Sequence, residues 1–333
     1  MLDKTPTLFS YQRIDSWERD PLGAFDTFLA DLRVKGKPIR EGSFRVYRGM
    51  FERLLRWLQD QGRPLLGLDP SVLEAFFQEK ALSDETRHRY LLVFSKLCEH
   101  LQRAGNLPEN PARKLLLSAK APQREHPEVL TAQQLAVVLF MAPTVGVKGW
   151  KSERLACMVR LMAQAGLRSS EVLALRLQDV GLQRQGAPSD GLLVASHGPH
   201  PARWVPLWPA PKNALEQWLA ARERASLAGS LVFPADARGA ALSAATLFRQ
   251  VREVLHRAGV HSRYEGPTLL RNTCAAWWLA QVPFSKVQQW LGHEKMETTA
   301  QFVEASRSWA QWLATQEPGA LQDVQKRGRL EAA

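Results

Sequence analysis

Residues 266–293 read GPTLLRNTCAAWWLAQVPFSKVQQWLGH. The pattern predicts two helices, LLRNTCAAWWLAQ and FSKVQQWLG, with Pro283 between them and Gly292 at the stop. The run TCAAWWLAQV is the longest apolar stretch of the chain, and it falls far below the roughly 20 residues that cross a bilayer. Downstream, LGHEKMETTAQFVEAS (291–306) leads into a further helix, expected from Thr298 onward, in which Phe302 heads an apolar row with Ala305, Trp309 and Leu313.

Upstream of this stretch the second half of the chain mixes helices with short strands. LTAQQLAVVLF and KSERLACMVRLMAQAG are predicted helices, the second with Leu155, Met158, Val159 and Met162 on one stripe that ends at Gly166. SSEVLALRL begins another, with Ser169 as the expected cap and Glu171 in the first turn, where the helix dipole favours an anion. LLVAS and RWVPL, separated by HGPHPA, predict a two-stranded ribbon. Helices follow at KNALEQWLAARERA and SAATLFRQVREVLHRAG.

Residues 18–117 read as all helix. Phe25, Phe28, Leu29 and Leu32 recur at helical spacing, and a second helix carries Tyr47, Met50, Phe51, Leu54 and Leu55 before Gly62. A third covers SVLEAFFQEKAL, and a fourth runs from Ser83 to Gly105 with Tyr90, Leu91, Phe94, Leu97 and Leu101 on one side. Residues 118–129 contain SAKAPQREHPEV, with two prolines and no apolar period, and read as a linker. The expected organisation is therefore a helical domain (18–117), a linker (118–129), a second domain (130–316) with a small sheet, and a polar tail (317–333). The fold class is mainly α, of α+β type.

The chain has 333 residues and a formal charge of +11, from 44 Lys and Arg against 33 Asp and Glu. Arginine supplies 31 of the 44, and its planar fork can grip a phosphate with two parallel hydrogen bonds. A polyanionic partner is the first expectation, although a solvated basic surface has the same composition. Three scattered cysteines, Cys98, Cys157 and Cys274, exclude a disulfide framework and fit a reducing, cytoplasmic setting. No C-x-x-C pair, Walker loop or dinucleotide fingerprint is present, so no metal and no cofactor are expected, and no membrane partner.

The blocks LPENPARKL, HPEVLTAQQL, AGLRSSEVLALRLQDV, RWVPL and GPTLLRNTCAAWWLAQVPFSKVQQWLGH, in that order, resemble the tyrosine recombinases, the phage integrase family. The resemblance covers nearly the whole chain. It implies a SAM-like core-binding domain at the N-terminus and a recombinase-type catalytic-like domain after it. Its chemistry is attack of a tyrosine oxygen on a DNA phosphodiester, with cations and hydrogen-bond donors aimed at the charge that builds on the phosphate oxygens.

On this resemblance Arg168 in AGLRSSE and Arg271 in TLLRN fall on the two clamp arginines, His293 on the later histidine, and Glu171 on an acidic support residue. Arg168 also opens a helix, where backbone amides favour an anion. Three positions depart from the family. Thr268 stands where the histidine of His-x-x-Arg belongs; it can donate a hydrogen bond or cap the next helix, but it cannot shuttle protons near neutral pH. Gly198 stands where the leaving-group lysine belongs, in a loop that offers only His197 and His200, and no lysine lies between Lys151 and Lys212. Phe302 stands where the nucleophilic tyrosine belongs, and Tyr264 is the last tyrosine in the chain.

The implied partner is double-stranded DNA, met in the helical domain by Arg45, Arg48, Arg87, Arg89 and Lys96. The family also assembles, so other recombinase subunits or further copies of this chain are candidate partners. The three departures imply a DNA-binding member that has ceased to cut, an accessory or architectural subunit in recombination or integration of a mobile element on nucleoid or plasmid DNA. Three other readings stay open: a recombinase with an unconventional nucleophile, a transcriptional or plasmid-maintenance regulator, and a helical interaction protein indifferent to DNA.

Overall fold

The computed structural model describes residues 14–34, 36–118, 126–146, 149–182, 189–195 and 201–315. The chain divides into two compact units, Met1–Arg124 and Glu125–Ala333. The division falls inside the stretch read as a linker, of which residues 119–125 lie outside the described residues, as does the tail from 316.

The first unit is built from α1 (Ile14–Arg19), α2 (Pro21–Asp31), α3 (Glu41–Asp60), α4 (Pro70–Glu79), α5 (Asp84–Arg103) and α6 (Pro111–Ser118). Local chemistry sets the starts of its helices. Asp20, Asp69 and Ser83 each accept a hydrogen bond from a backbone N–H in the first turn of α2, α4 and α5, and a cap of this kind stabilises a helix by about 1 kcal/mol. Gly62 and Gly105, both at positive φ, follow the ends of α3 and α5. The apolar stripes meet in one core, where Phe25 stacks on Phe51 with ring centroids 4.1 Å apart and Leu54, Phe76, Phe94 and Leu97 are fully buried. The expectation of an all-helical unit needs one correction. The strands β1 (Arg33–Val34) and β2 (Lys37–Pro38) form a small antiparallel hairpin between α2 and α3. Two-residue strands carry no readable period, so the pattern of the sequence does not reveal them.

The second unit contains α7 (Ala132–Met141), α8 (Trp150–Gln164), α9 (Ser169–Ala174), β3 (Val180–Gly181), β4 (Gly191–Val194), β5 (Arg203–Pro206), α10 (Pro209–Arg224), α11 (Ala244–Arg257), α12 (Pro267–Leu279), α13 (Phe284–Leu291), α14 (Met296–Ala300) and α15 (Val303–Ala314). Helix α8 lies at the centre, with Leu155, Met158, Val159, Leu161 and Met162 fully buried, and α10 and α12 pack against it. Each such aliphatic side chain contributes about 1.5–3 kcal/mol by leaving water. Helix α15 packs on α12, and its Trp309 is buried in the core with Ala305 partly buried against it.

The sheet has three antiparallel strands in the order β3-β4-β5, where two were expected. The third strand is again two residues long. It pairs with β4 through Val180–Leu192 and Gly181–Gly191, and the indole of Trp204, on β5, reaches across both glycines: a Cβ on Gly181 would come within 2.3 Å of that ring, and one on Gly191 within 2.6 Å. Side chains alternate across the sheet, so Arg203 and Val205 turn into the core while Trp204 stays half-buried on the other face.

Three local expectations also change. Arg168, not Ser169, holds the N-cap position of α9, and its backbone N–H is taken by Glu171 Oε2 at 2.8 Å. Gly266 holds the N-cap of α12, which places exposed Thr268 inside the first turn rather than at the cap. The segment after His293 is two helices rather than one, because Phe302 sits between α14 and α15 at the N-cap of the second.

Candidate functional site

Three consecutive carbonyls at the end of α13 organise the site. Trp290 O accepts from Arg203 Nε at 2.7 Å, Leu291 O from Arg271 Nη2 at 2.6 Å, and Gly292 O from Arg168 Nη2 at 3.2 Å. The last carbonyls of a helix lack intrahelical partners and carry its negative partial charge, so a helix C-terminus suits guanidinium groups. Gly292 turns the chain there with φ +63, a conformation that favours glycine, and a Cβ at this position would lie 3.1 Å from Arg203 Cδ. The next residue is His293, held by its backbone N–H to Gln288 O at 3.1 Å.

The three guanidiniums surround one carboxylate, that of Glu171 on α9. Arg203 binds it with both arms, Nη1 to Oε1 and Nη2 to Oε2, each at 2.8 Å. Arg168 Nη1 donates to Oε1 at 2.7 Å. Arg271 Nη1 stands 3.9 Å from Oε2 and donates instead to the carbonyl of Gly166, at the turn after α8. Exposure grades across the set: the Arg168 side chain is 30% exposed, Arg271 12%, and Arg203 and Glu171 7% each.

Three guanidiniums and one carboxylate leave the site with two positive charges in excess, and the titration behaviour follows. Burial pushes the Glu171 carboxyl up, but the hydrogen bonds and charge of Arg203, the Arg168 N–H and the charge of Arg271 outweigh it and hold the group at about 2. Burial and then the charge of Arg168 draw Arg271 down to about 9. Burial and then the charges of Arg271, Arg168 and Arg203 draw His293 down to about 3, so its imidazole is neutral at neutral pH. Its Nδ1 lies 2.9 Å from the hydroxyl of fully buried Thr299, and its ring stacks on Phe302 at 6.3 Å between centroids and 15° between planes. This arrangement can bind an oxyanion through Arg168 and Arg271 and offer it a neutral imidazole.

The structure thus brings together Arg168, Glu171, Arg271 and His293, and it sets Phe302, 4% exposed, against the histidine. Thr268 is exposed three residues before Arg271. Gly198, with His197 and His200, lies outside the described residues. One member of the site carries no mark in the reading of the sequence: Arg203. The signal available for Arg203 was its alternation with Val205 and Leu207, which puts an arginine on the core-facing side of a strand.

In the first unit the proposed DNA-facing arginines are engaged with acids. Arg45 pairs with Glu41, Arg48 with Asp26 at 3.0 Å and with Glu52, Arg87 with Glu74 at 2.5 Å, and Arg89 with Glu85 at 2.6 Å. Lys96 is exposed and has no ion pair among the described residues. No helix among the described residues is long and apolar enough to cross a membrane. Among them no group of three His, Cys, Asp or Glu side chains gathers to hold a metal ion.

Residues 128–308 match the phage integrase family. Tyrosine recombinase XerC of Xanthomonas campestris pv. campestris (strain B100) is 29% identical over 283 residues, covering 84% of this chain and 83% of the relative. Among solved structures, the XerH site-specific recombinase bound to a palindromic difH substrate superposes with a TM-score of 0.65 at 20% identity, over 82% of this chain and 79% of that one. The Tn1549 transposon integrase in complex with a circular intermediate DNA gives 0.62 at 15% identity, over 83% and 94%. The fold is that of these recombinases.

Proposed function

This chain belongs to the phage integrase family, the tyrosine recombinases of DNA recombination, and from that premise we propose that it grips duplex DNA at this site without cutting it. Arg168 and Arg271 hold one phosphodiester, with His293 as a neutral donor beside it, and basic residues of the first unit supply salt-dependent affinity. The role that follows is an accessory or architectural subunit in recombination of a mobile element, working on nucleoid or plasmid DNA in the cytoplasm. The solved XerH complex holds its difH substrate and the Tn1549 integrase holds DNA, which supports a DNA partner for a chain of the same fold.

One observation carries the reading. At the family's nucleophile position a phenyl ring is buried against His293, and a hydrocarbon ring has no atom with which to attack phosphorus. Thr268 and Gly198, read at the family's base and acid positions, support the same conclusion, because a substitute alcohol would lack an activating base and the leaving oxygen a proton donor. The test is incubation of the purified chain with nicked duplex DNA carrying its preferred site, followed by denaturing electrophoresis. Retarded DNA under native conditions with no denaturation-resistant adduct is the expected result. A covalent protein–DNA adduct would establish an unconventional nucleophile instead.

A further inference from the structure

The role of Arg203 follows from counting the acceptor positions on Glu171. A carboxylate offers about four lone-pair directions, two on each oxygen. On Oε1 these are used by Arg203 Nη1 (2.8 Å) and Arg168 Nη1 (2.7 Å), and on Oε2 by Arg203 Nη2 (2.8 Å) and the Arg168 backbone N–H (2.8 Å). The carboxylate is therefore saturated. Arg271, 3.9 Å away, is left outside its hydrogen bonds and is anchored by the carbonyls of Gly166 and Leu291. Arg203 cannot itself meet a ligand without moving, since its side chain is 7% exposed and three of its donors are committed to Glu171 and Trp290.

We propose that Arg203 is a positioning residue: it fills Glu171 with a buried, bidentate counter-ion so that Arg271, and the more exposed Arg168, keep their charge for a DNA phosphate. The assignment rests on the reading that a phosphate is held here. Without Arg203, two acceptor positions on Glu171 open, and the cations facing them are Arg168 from its own turn and Arg271 from α12, with His293 beyond α13 as the remaining titratable neighbour. Glu171 then draws Arg271 inward and competes with the phosphate. The bland alternative is that Arg203 merely ties β5 to the end of α13.

Duplex-DNA affinity of the full chain, measured by fluorescence anisotropy at one ionic strength, separates the two. Arg203→Gln is expected to weaken binding about tenfold, the loss of one charge-assisted contact. Adding Glu171→Gln to it removes the competitor and is expected to restore most of that loss. A merely structural tie predicts the opposite for the double variant, which loses a further contact. Affinity of Arg203→Gln equal to wild type, or a double variant no tighter than the single one, overturns the proposal. If Arg203→Gln does not fold by circular dichroism, Arg203→Lys and Glu171→Gln/Arg203→Lys make the same comparison, since a lysine cannot bind both oxygens in plane. Unchanged affinity of Arg168→Ala would instead show that no phosphate is held at this site, whatever Arg203 does.

Discussion

The imidazole of His293 and the phenyl ring of Phe302 lie nearly parallel, 15° apart in plane and 6.3 Å between centroids, in a site with an excess of positive charge. An oxygen on that ring would enter the chemistry with no histidine at position 268 and no lysine at position 198 to protonate the leaving alkoxide. Phe302→Tyr is therefore expected to form an adduct with DNA whose leaving oxygen at the scissile phosphate is replaced by sulfur, because a thiolate leaves without a proton. With ordinary DNA the adduct should form more slowly by about a hundredfold, the usual contribution of a general acid. Equal rates on the two substrates would mean that the site retains an acid.

Acid should unfold the second unit through two groups with depressed constants. His293 is held at about 3 against an ordinary 6.5, so the unfolded chain binds its proton first and stability falls as the pH drops below about 6.5. Glu171, at about 2 against 4.5, adds a further loss below about 4.5. The combined effect between pH 7 and 4 is on the order of 3–5 kcal/mol, most of it from His293. Thermal melts across this range should show a falling Tm in the wild type and a flatter profile in His293→Gln. Parallel profiles would refute the assignment of the acid sensitivity to this histidine.

Gly292→Ala combines two penalties. The left-handed conformation costs an L-residue about 1–2 kcal/mol, and the new Cβ would meet Arg203 Cδ and Nε at 3.1 Å. Chemical denaturation should show destabilisation of at least that size. DNA affinity should fall as well, since Gly292 O anchors Arg168. A variant as stable as wild type would show that the turn tolerates a side chain.

The first unit makes a prediction about salt. Exposed Lys96 can neutralise a phosphate without breaking an ion pair, whereas Arg48 must first leave Asp26 and Glu52. Lys96→Ala is expected to lower the slope of log affinity against log salt by about 0.9, one phosphate contact, and Arg48→Ala to lower it by less. Titrations at several salt concentrations give both slopes, and the reverse order would move the DNA contact to the Arg48 face.

Much of the site was legible before folding because its residues lie in short blocks with local structure: Arg168 and Glu171 one helical turn apart, Arg271 inside a predicted helix, His293 just beyond a helix-stopping glycine. Arg203 was not. A lone arginine in RWVPL looks like any strand residue, and its value depends on a carboxylate 32 positions earlier and a helix end 87 positions later. Ser169 illustrates a milder failure. Cap propensity favours it, yet Glu171 satisfies the helix start through the backbone of Arg168, and one side chain used twice overrides the local preference.

By itself the sequence determined the helical order, the basic character, the family resemblance and the absence of any tyrosine after residue 264, since each of these is carried by periodicity or by the covalent chain. Only the tertiary structure decided how charge is distributed among Arg168, Arg203 and Arg271. Hydrogen bonds and Coulomb energies depend on distance and burial, and the contacts that matter here join residues from 20 to 124 positions apart along the chain.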